Sequence, residues 1–543
     1  MESKSVGTNL VHVTPITEDV SCTTVDKLSG SLRREFWAWR FYDFSRRPVP
    51  AVANSFLYVT LKAMFDVANV VKIDPVKKLP LGAFQVGPIS LNGLSFVTCT
   101  QALAALIQIV LFLTLGPCAD FGNLRRPLLL FFSLLGGASG AIWLAFNSVK
   151  LWWLGGIVSI IFFTSYGLAV VFYNSYLPLL INDHPSVIAS TGLAQRKIVQ
   201  KESATLSSTA FMLGYLGSAA ILICALRIFD DNARTILYGY RIIISFCGIW
   251  WFVFCLPAIF GLNARPRSPL PANESYLTIG WKTAFKTAKK IWRMPNVARY
   301  LLAYFLFIDG IGTIASVAAL FAVDDLNFTG YKLTLLVLEI PSVAFFATAF
   351  WAWFSRVANI PPKNMLLVHC CSYILLGVYV LCGQDPANTW ALRTESAMYV
   401  AGAWHGLHVG SIQAFGRSVF AEMVPAGYEA DFFSFFQLTD EGSSFLGPLM
   451  ATIITGSSGS TRLVFVWIIL VFLLAIPTLW FVDVNKAAEE SMEMEEKTHV
   501  QKMENNGKVN ILYHTSLSKT TVIPNLVSTL NVPGSIAESK NNP

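Results

Sequence analysis

The chain has 543 residues, of which 54% are hydrophobic and 13% are charged, and its formal net charge is +7. Soluble domains carry about 25% charged residues, so this composition excludes a soluble globular protein and an intrinsically disordered one. It also argues against a nucleic-acid-binding protein, because the positive charge is small for the length of the chain. The composition therefore predicts a polytopic membrane protein.

The first half of the chain is predicted to contain a tail and a group of membrane helices. Residues 1–40 are polar and rich in Ser and Thr, and we expect a disordered tail. Residues 41–262 then contain six apolar stretches of about 20 residues, the length that crosses a ~30 Å hydrocarbon core. The first stretch, near Phe41–Met64, is the weakest because Arg46, Arg47, Lys62 and Asp66 lie near its ends. These stretches predict an N-terminal bundle of six transmembrane helices.

A polar linker, residues 263–298, separates the first apolar stretches from the second group. Apolar residues recur in it at helical spacing: Leu277, Trp281, Phe285, Ala288 and Trp292. Basic residues occupy much of the remaining surface: Lys282, Lys286, Lys289, Lys290 and Arg293. The pattern predicts a basic amphipathic helix, either lying on an anionic membrane surface or solvated as a plain linker helix.

The second half is predicted to repeat the first. Residues 299–483 contain six more apolar stretches, and residues 484–543 form a Glu-, Lys- and Ser-rich tail that we expect to be disordered. Most of the 40 Lys and Arg residues fall in the two tails, the linker and the loops on the same side. The positive-inside rule places that side in the cytosol. We therefore expect an all-α polytopic membrane protein with twelve transmembrane helices in two six-helix bundles and both termini in the cytosol.

The loop between the second and third predicted spans reads Gly116-Pro-Cys-Ala-Asp120-Phe-Gly-Asn-Leu-Arg125-Arg126. It resembles the corresponding loop of the major facilitator superfamily, shifted by one residue, and the two-bundle layout is that of the same fold. We expect Gly116 to allow close helix approach, and Asp120, Arg125 and Arg126 to form a charge latch of the gate. The alternative is that the two arginines only anchor the loop on its side of the membrane.

The sequence does not predict an enzyme. It contains no G-x-x-x-x-G-K-[ST] phosphate-binding loop, which argues against direct ATP-driven pumping. His405-x-x-His408 lacks the further ligands that a metal site needs, so no metal or cofactor is expected. A secondary transporter is the first hypothesis, and a non-transporting receptor or a lipid scramblase is the rival class.

Several stretches carry a more specific likeness. They include Phe172-Tyr-Asn-Ser-Tyr-Leu-Pro-Leu-Leu and Asp309-Gly-Ile-Gly-Thr-Ile-Ala-Ser-Val-Ala. The strongest is Gly410-Ser-Ile-Gln-Ala-Phe-Gly-Arg-Ser-Val-Phe-Ala-Glu-Met-Val-Pro, followed by Glu429-Ala-Asp-Phe-Phe and Gly442-Ser-Ser-Phe-Leu-Gly-Pro. Together these stretches resemble the fungal autophagy-related vacuolar effluxers, the family of autophagy-related protein 22.

This likeness runs from about Tyr42 to Asp483. It implies a multi-pass protein of the vacuole membrane that exports neutral amino acids, such as leucine, isoleucine and tyrosine, to the cytosol after autophagic degradation. The implied mechanism is alternating access, with the proton gradient as a candidate driving force. A sugar, a peptide or an organic acid is the alternative cargo. Two positions depart from the family pattern, because Arg47 replaces an acidic residue and Glu441 replaces a basic one.

Three residues are candidates for proton coupling. Asp309 lies in the middle of an otherwise uncharged predicted span, where an ionisable group is costly and often functional. His405 and His408 share one side of the tenth span and could respond to luminal pH. The alternatives are a helix-to-helix hydrogen bond for Asp309 and ordinary buried core histidines for the other two.

Two further sets of residues are candidates for gating and for substrate binding. Arg417 and Glu422, at the end of the tenth span, could close a gate with Glu429 or Asp431, or they could only anchor the helix end. Asp440 and Glu441 are also candidates for gating. Neutral hydrogen bonds to a zwitterion could come from five polar residues, which are otherwise packing contacts: Gln101, Gln108, Tyr173, Asn174 and Gln413.

Overall fold

The computed structural model describes residues 29–68, 72–73, 80–81, 84–86, 89–91, 93–228, 233–267, 269–270, 274–324, 326, 328, 330–385, 387–388, 391–443, 446–458 and 460–505. Residues Met1–Met492 form one compact unit, and Glu493–Pro543 form a second. The described part of the second unit is the end of a single helix. All the contacts discussed below belong to the first unit.

The described residues of the first half include ten α-helices and four very short strands. The helices are α1 Gly30–Arg46, α2 Pro48–Val52, α3 Tyr58–Ala68, α4 Gly93–Cys118, α5 Arg125–Ala141, α6 Trp152–Asn174, α7 Tyr176–Asn182, α8 Pro185–Ile188, α9 Gly192–Ile228 and α10 Ala233–Gly261. A π-helical turn, Ala53–Leu57, joins α2 to α3 and makes the first helical rod nearly continuous. Between α3 and α4, β1 Lys72–Ile73 pairs antiparallel with β2 Pro80–Leu81, and β3 Phe84–Val86 pairs with β4 Ile89–Leu91.

The second half begins with the linker helix. Its helices are α11 Tyr276–Arg293, α12 Pro295–Asp324, α13 Gly330–Val357, α14 Pro362–Cys382, α15 Glu395–Glu422, α16 Glu429–Ser443, α17 Leu446–Ser458, α18 Val464–Trp480 and α19 Val484–Asn505. We call the end of the helices at which α11 lies the linker face, and the other end the far face.

Nine helical segments in the described ranges are long and apolar enough to cross a membrane. They coincide with nine of the twelve predicted spans, and the nearly all-helical architecture confirms the predicted fold class. The three remaining predictions fall on α1–α3, on α15, and on α16 with α17. These segments carry Asp43, Arg417 and Glu441 respectively. α16 and α17 have 15 and 13 residues, so each is shorter than a full span.

The structure corrects the predicted extent of both tails. The sequence predicts a disordered tail over residues 1–40, but α1 begins at Gly30 and Trp39 is completely buried. Glu35 is also buried, and it forms an ion pair with Arg265 of the linker at 3.0 Å. At the other end, residues 484–505 of the predicted disordered tail form α19, in which Ser491 donates a hydrogen bond to the Met423 carbonyl. In α1, the buried Glu35 is paired with Arg265 rather than solvated, so the charged residues of this segment gave no sign of a buried helix.

The two halves of the first unit contact each other along several helices. In the linker-face portion, α4 of the first half packs against α16 of the second, and α9 packs against α13 and α15. Gly116 makes the first of these contacts possible, because a Cβ there would lie 1.7 Å from the Ser434 hydroxyl. The predicted role of Gly116 in close helix approach is therefore confirmed by its geometry. Charged side chains of both halves converge around these contacts.

Candidate functional site

A buried ion-pair cluster joins the two halves through Asp43 of α1. One carboxylate oxygen of Asp43 lies 2.5 Å from the Arg46 guanidinium, one helical turn away. The other oxygen lies 3.2 Å from Arg417 of α15 and accepts a hydrogen bond of 3.0 Å from the Tyr173 hydroxyl. Asp43, Arg46 and Arg417 are each at most 2% exposed. We call these residues, with Tyr173 and Asn174, the inner cluster.

Arg417 extends from the second half into the first, where all three of its guanidinium nitrogens donate hydrogen bonds. Besides Asp43, it donates to the Asn174 side chain at 3.2 Å and to the Ser207 hydroxyl at 3.0 Å. The guanidinium carbon, Cζ, also lies 4.6 Å from the centre of the Trp39 ring, a favourable cation–π distance. A desolvated arginine with this many partners links the two halves, because separating them would leave it without those partners. The sequence predicts Glu429 or Asp431 as the gating partner of Arg417. In the structure its partners are instead Asp43, Asn174 and Ser207.

A second arginine of the first half makes a parallel contact between the halves. Arg47 donates a short hydrogen bond to the side-chain oxygen of Gln413 in α15, and another of 3.1 Å to the Tyr215 hydroxyl. Phe211 lies between Arg47 and Arg417, with its ring centre 4.0 Å and 4.4 Å from the two guanidinium carbons. The residue that departs from the family pattern therefore belongs to the interface between the halves. Gln413, predicted as a substrate ligand, is occupied by Arg47 in this conformation.

An outer ion-pair cluster lies closer to the linker face. Asp120, in the turn between α4 and α5, lies 2.5 Å from Arg125, and Arg125 lies 3.2 Å from Glu429 at the start of α16. Arg267 of the linker lies 2.6 Å from the other oxygen of Glu429. The structure thus brings Asp120 and Arg125 together as predicted and adds Glu429 and Arg267. We call these four residues the outer cluster.

Asp120 also caps a helix of the opposite half. Its two carboxylate oxygens accept hydrogen bonds from the backbone N–H groups of Ala430, at 3.1 Å, and Asp431, at 3.0 Å. These groups belong to the first turn of α16, where unpaired N–H groups and the helix dipole favour an anion. Burial raises the pKa of Asp120 to about 6, although Arg125 opposes the shift. If the halves separated, the Asp120 carboxylate would lose these N–H donors, and the carboxylate and the N–H groups would be exposed to water.

The other predicted gating residues lie outside these two clusters. Arg126 donates to the backbone carbonyls of Ile259 and Phe260 in α10, which agrees with its alternative role as an anchor. One carboxylate oxygen of Glu422 is buried and has no hydrogen-bond partner within the described part of the chain. Asp440 and Glu441 both accept weak hydrogen bonds from the Gln437 amide, at 3.4 Å and 3.2 Å, near the end of α16.

The predicted histidines belong to a polar cluster within the second half. The Nδ1 atoms of His408 and His369 lie 2.8 Å apart, and the Ser372 hydroxyl lies 2.7 Å from the other ring nitrogen of His408. His405 lies 3.2 Å from the Tyr373 hydroxyl. Because the two facing nitrogens form one hydrogen bond, one ring donates and the other accepts. We call His369, Ser372, Tyr373, His405 and His408 the histidine cluster, and it connects α14 with α15 of the same half.

Asp309 is 3% exposed and is held by two neutral donors. The backbone N–H of Gly447 donates to one carboxylate oxygen at 2.9 Å, and the Trp467 indole donates to the other at 3.1 Å. Within the described ranges, Asp309 forms no ion pair. These contacts join α12 to α17 and α18, so Asp309 connects helices of the second half.

Two predicted substrate ligands make contacts within the first half. Gln108 of α4 donates to the Phe163 carbonyl of α6 at 2.7 Å, and the Gln101 side chain interacts with Tyr58 of α3. A separate cavity of about 60 Å³ lies within the second half and is lined mainly by aliphatic side chains, with His405 as a polar contact. Apart from His405, its lining residues are apolar, so the cavity offers no charged partner for an amino acid. Polar groups of both halves meet in the inner cluster, in the outer cluster and at the Arg47–Gln413 contact.

Sequence reasoning missed several members of these clusters. Asp43 and Arg46 were not singled out as a pair, although three-residue spacing places them on one side of a helix. Ser207 gives no distinctive signal, because serine is common in membrane helices. His369 lies 39 residues before His408 in the chain, and only the packing of α14 on α15 brings the rings together.

The chain is similar to fungal proteins of known family. It is 28% identical to autophagy-related protein 22-1 of Aspergillus niger over 466 residues, which covers 75% of each chain. It is also 28% identical to autophagy-related protein 22 of Coccidioides immitis, over 88% of this chain and 91% of the relative. Autophagy-related protein 22 of Botryotinia fuckeliana is 26% identical, with 86% and 82% covered.

Two solved structures share the fold. The proton:xylose symporter XylE, bound to 6-bromo-6-deoxy-D-glucose, matches with a TM-score of 0.57 and 13% identity over 86% of this chain and 98% of its own. The transporter FucP, in its outward conformation, matches with a TM-score of 0.55 and 10% identity over 83% and 99%. Both are major facilitator superfamily transporters, and the shared fold agrees with the prediction from the sequence. A family profile described as "Vacuole effluxer Atg22 like" matches residues 31–492, and the chain accordingly belongs to this family of vacuolar membrane transporters rather than to an enzyme family.

Proposed function

We propose that the chain exports neutral amino acids from the vacuole lumen to the cytosol by alternating access, with its linker face and both termini in the cytosol. The observation that carries the proposal is the burial of Arg417 of one half against Asp43 and Asn174 of the other. Together with the outer cluster, this contact describes a conformation that is closed at the linker face. The family description "vacuole effluxer" supports the direction of transport.

The charges of the inner cluster favour a zwitterionic cargo. An amino acid carries one carboxylate and one ammonium, and the inner cluster offers buried guanidinium groups and one buried carboxylate within a single site. The substrate carboxylate could replace Asp43 at Arg417 while its ammonium takes a place beside Asp43. Such an exchange conserves the buried charge, so it avoids the cost of an unpaired ion. A sugar has no charges with which to make this exchange, whereas an organic acid would satisfy only the arginine.

The exchange also links substrate binding to opening of the gate. In the closed conformation the interactions of Arg417 with the first half hold the halves together. A substrate that takes over part of these interactions lowers the cost of separating the halves at the linker face. A ligand shifts a conformational equilibrium only through such a difference in affinity between the two states. Tyr173 and Asn174 retain their predicted role as substrate ligands in this proposal.

Proton coupling is proposed through the second half. The histidine cluster and Asp309 provide two sites at which a proton could reside away from the inner cluster. In the histidine cluster, the facing nitrogens of His369 and His408 share one proton position. An acidic lumen would load these sites, and the cytosol would unload them, as the halves alternate.

The proposal is tested by amino-acid release from sealed, acidified vesicles that contain the purified full-length chain. Vesicles loaded with labelled leucine, isoleucine or tyrosine should release their cargo faster than protein-free vesicles, and vesicles loaded with labelled xylose should not. Arg417→Gln should abolish the difference. Arg356→Gln is the matched control, because Arg356 is exposed on the last turn of α13, and it should release cargo like the unmodified chain.

Two outcomes would overturn the proposal. Equal release of all three amino acids with and without the protein would remove the cargo assignment. Release that is selective but unaffected by Arg417→Gln would show that the inner cluster is not on the transport route. Release that does not change when the pH gradient is collapsed would remove proton coupling while leaving the cargo assignment intact.

A further inference from the structure

The linker helix α11 has two different faces. Its inner face is formed by Gly280, Ala284, Thr287 and Ile291, all buried against the body. Gly280 permits this contact, because a Cβ there would lie 2.1 Å from the backbone oxygen of Thr114 in α4. The spacing of these small or short residues follows the helical repeat. The inner face therefore fixes α11 to the protein and leaves the opposite face free.

The contacts of α11 also fix its depth along the bundle. Gly280 meets Thr114, and the Tyr276 carbonyl accepts a hydrogen bond from the Cys118 thiol at 3.0 Å. Thr114 and Cys118 both belong to the last turn of α4, a candidate membrane span that ends at Cys118. Since a helix end at this position reaches the membrane–water interface, α11 lies at the level of the lipid headgroups.

The outer face of α11 combines aromatic and basic residues. Trp281, Phe285 and Trp292 follow one side of the helix, and Phe285 and Trp292 are 71% and 85% exposed. Four exposed basic residues flank them: Lys282, Lys286, Lys289 and Arg293. Of these four, Lys282 forms an ion pair, with Glu274 at 2.6 Å. Leu277 belongs to the same predicted stripe, but its side chain lies outside the described part of the structure.

We propose that this outer face binds anionic phospholipids of the membrane leaflet on the linker face, which the proposed function makes the cytosolic leaflet. Indole rings are favoured at the headgroup level because they have an apolar body and a polar N–H. Lysine and arginine beside them attract anionic headgroups. A water-soluble protein partner would leave unexplained why the aromatic and basic residues lie at the depth of the interface. The expected chemistry is a phosphodiester with a further negative group, such as phosphatidylserine.

The full-length protein in neutral detergent is the material for the test. Phosphatidylserine is titrated into it, and the midpoint of the rise in unfolding temperature reports the affinity. The variant K282Q/K286Q/K289Q/R293Q should bind at least tenfold more weakly, because each basic residue at an anionic surface contributes about 1 kcal/mol, or roughly fivefold. The matched control R33Q/R34Q/K197Q/K201Q removes four exposed basic residues of the same end of the protein and should change the midpoint less than twofold.

A second measurement does not depend on the fourfold variant. In nanodiscs, brominated phosphatidylserine should quench tryptophan fluorescence more than brominated phosphatidylcholine, and Trp292→Phe should remove most of that difference. The proposal is overturned if both fourfold variants bind equally, if phosphatidylcholine binds as tightly, or if soluble glycerophosphoserine alone gives the full rise. Because no step of this test measures transport, its failure is distinguishable from failure of the proposed function.

Discussion

The inner cluster and the histidine cluster are both buried and polar, but they connect different parts of the protein. The inner cluster joins α1 of the first half to α15 of the second, whereas the histidine cluster joins α14 to α15 within one half. If the halves rock as bodies, the first set of contacts must break and the second can persist. Contacts across the halves therefore set which face is closed, and contacts within one half can stay formed while a proton is loaded at one face and released at the other.

The same comparison separates two kinds of energetic cost. A buried ion pair contributes little net stability, because desolvation offsets attraction, but the loss of one partner leaves a costly unpaired charge. The inner cluster is thus sensitive to single substitutions at the interface between the halves. The contacts of the histidine cluster lie within one half, so its substitution should leave the balance between closed and open conformations nearly unchanged.

Spin labels can report this balance in the full-length chain. Lys201 of α9 and Val357 of α13 are exposed on the linker face, one in each half. Native exposed cysteines at Cys99, Cys224 and Cys371 would be replaced by serine before labelling. The closed conformation should give a short distance between the labels, and a conformation open at the linker face a long one.

Asp43→Asn should have the largest effect on this distance. It leaves Arg46 and Arg417 buried without their shared anion, at a cost to the closed conformation of about 3–5 kcal/mol. The long distance should become the major population. Asp66→Asn is the control, because Asp66 forms a partly exposed pair with Lys62 on α3, and pairs of that kind contribute about 0–1 kcal/mol. Equal distance distributions for the two variants would contradict the role of the inner cluster.

Arg417→Gln should have a smaller effect than Asp43→Asn, because Asp43 retains Arg46 as its partner. Loss of charged hydrogen bonds costs about 1.5–3 kcal/mol, so the long-distance population should rise by a smaller factor. The double variant tests whether the two residues act on each other. Effects that simply add would argue against direct coupling, whereas a double variant close to Asp43→Asn alone would support it.

Asp120→Ala should weaken closure through the outer cluster. It removes the carboxylate that caps α16 from the opposite half, and a helix N-cap contributes about 0.5–2 kcal/mol. The population with the long label-to-label distance should increase, but by less than it does in Asp43→Asn. Asp385→Ala is the control, since Asp385 accepts a backbone N–H only within its own loop on the far face. A shift of the same size in both variants would assign the effect to general destabilisation.

The pH dependence of closure at the linker face should follow the titration of Asp120. Its pKa is raised to about 6 in the closed conformation and should return toward about 3.9 when opening hydrates it. The closed conformation then binds a proton more tightly, so closure gains stability as pH falls and loses it as pH rises through 6. Between pH 7 and pH 5 the gain should be about 1 kcal/mol. Asp120→Asn should flatten this dependence, and a closed fraction that grows with rising pH would contradict the sign.

His369→Gln should have the smallest effect on the distance, because His369 and its partner His408 belong to the same half. The distance distribution at neutral pH should match that of the unmodified chain. The pH profile of amino-acid release should nevertheless shift, since the shared proton position is lost. A large change in the distance distribution would break the distinction between the two clusters.

Sequence reasoning predicted the fold well where hydrophobicity decides it. The nine apolar spans and the Asp120–Arg125 pair follow from length, charge and local spacing. It failed where charged residues are buried by tertiary partners, as for α1, whose Glu35 meets Arg265 and whose Asp43 meets Arg417. Local sequence carries no information about which distant residue supplies the counter-charge.

Candidate site residues divide in the same way. Arg417, Tyr173 and Asn174 were selected as polar residues in apolar helices, and the structure brings them together. Gln108 was selected on the same ground and instead bonds a backbone carbonyl. A polar side chain in a membrane helix can form its hydrogen bonds with a neighbouring helix of the same half, or it can face the interface between the halves. The choice depends on helix rotation, which the sequence pattern does not determine.

The measurement that tests the account most directly uses two label pairs on the same protein. Lys201 and Val357 report the linker face, while Lys150 and Tyr331, exposed in the two halves, report the far face. Addition of leucine should lengthen the first distance and shorten the second in one population of molecules. Distances that stay fixed, or that lengthen together at both faces, would contradict alternating access controlled by the inner cluster.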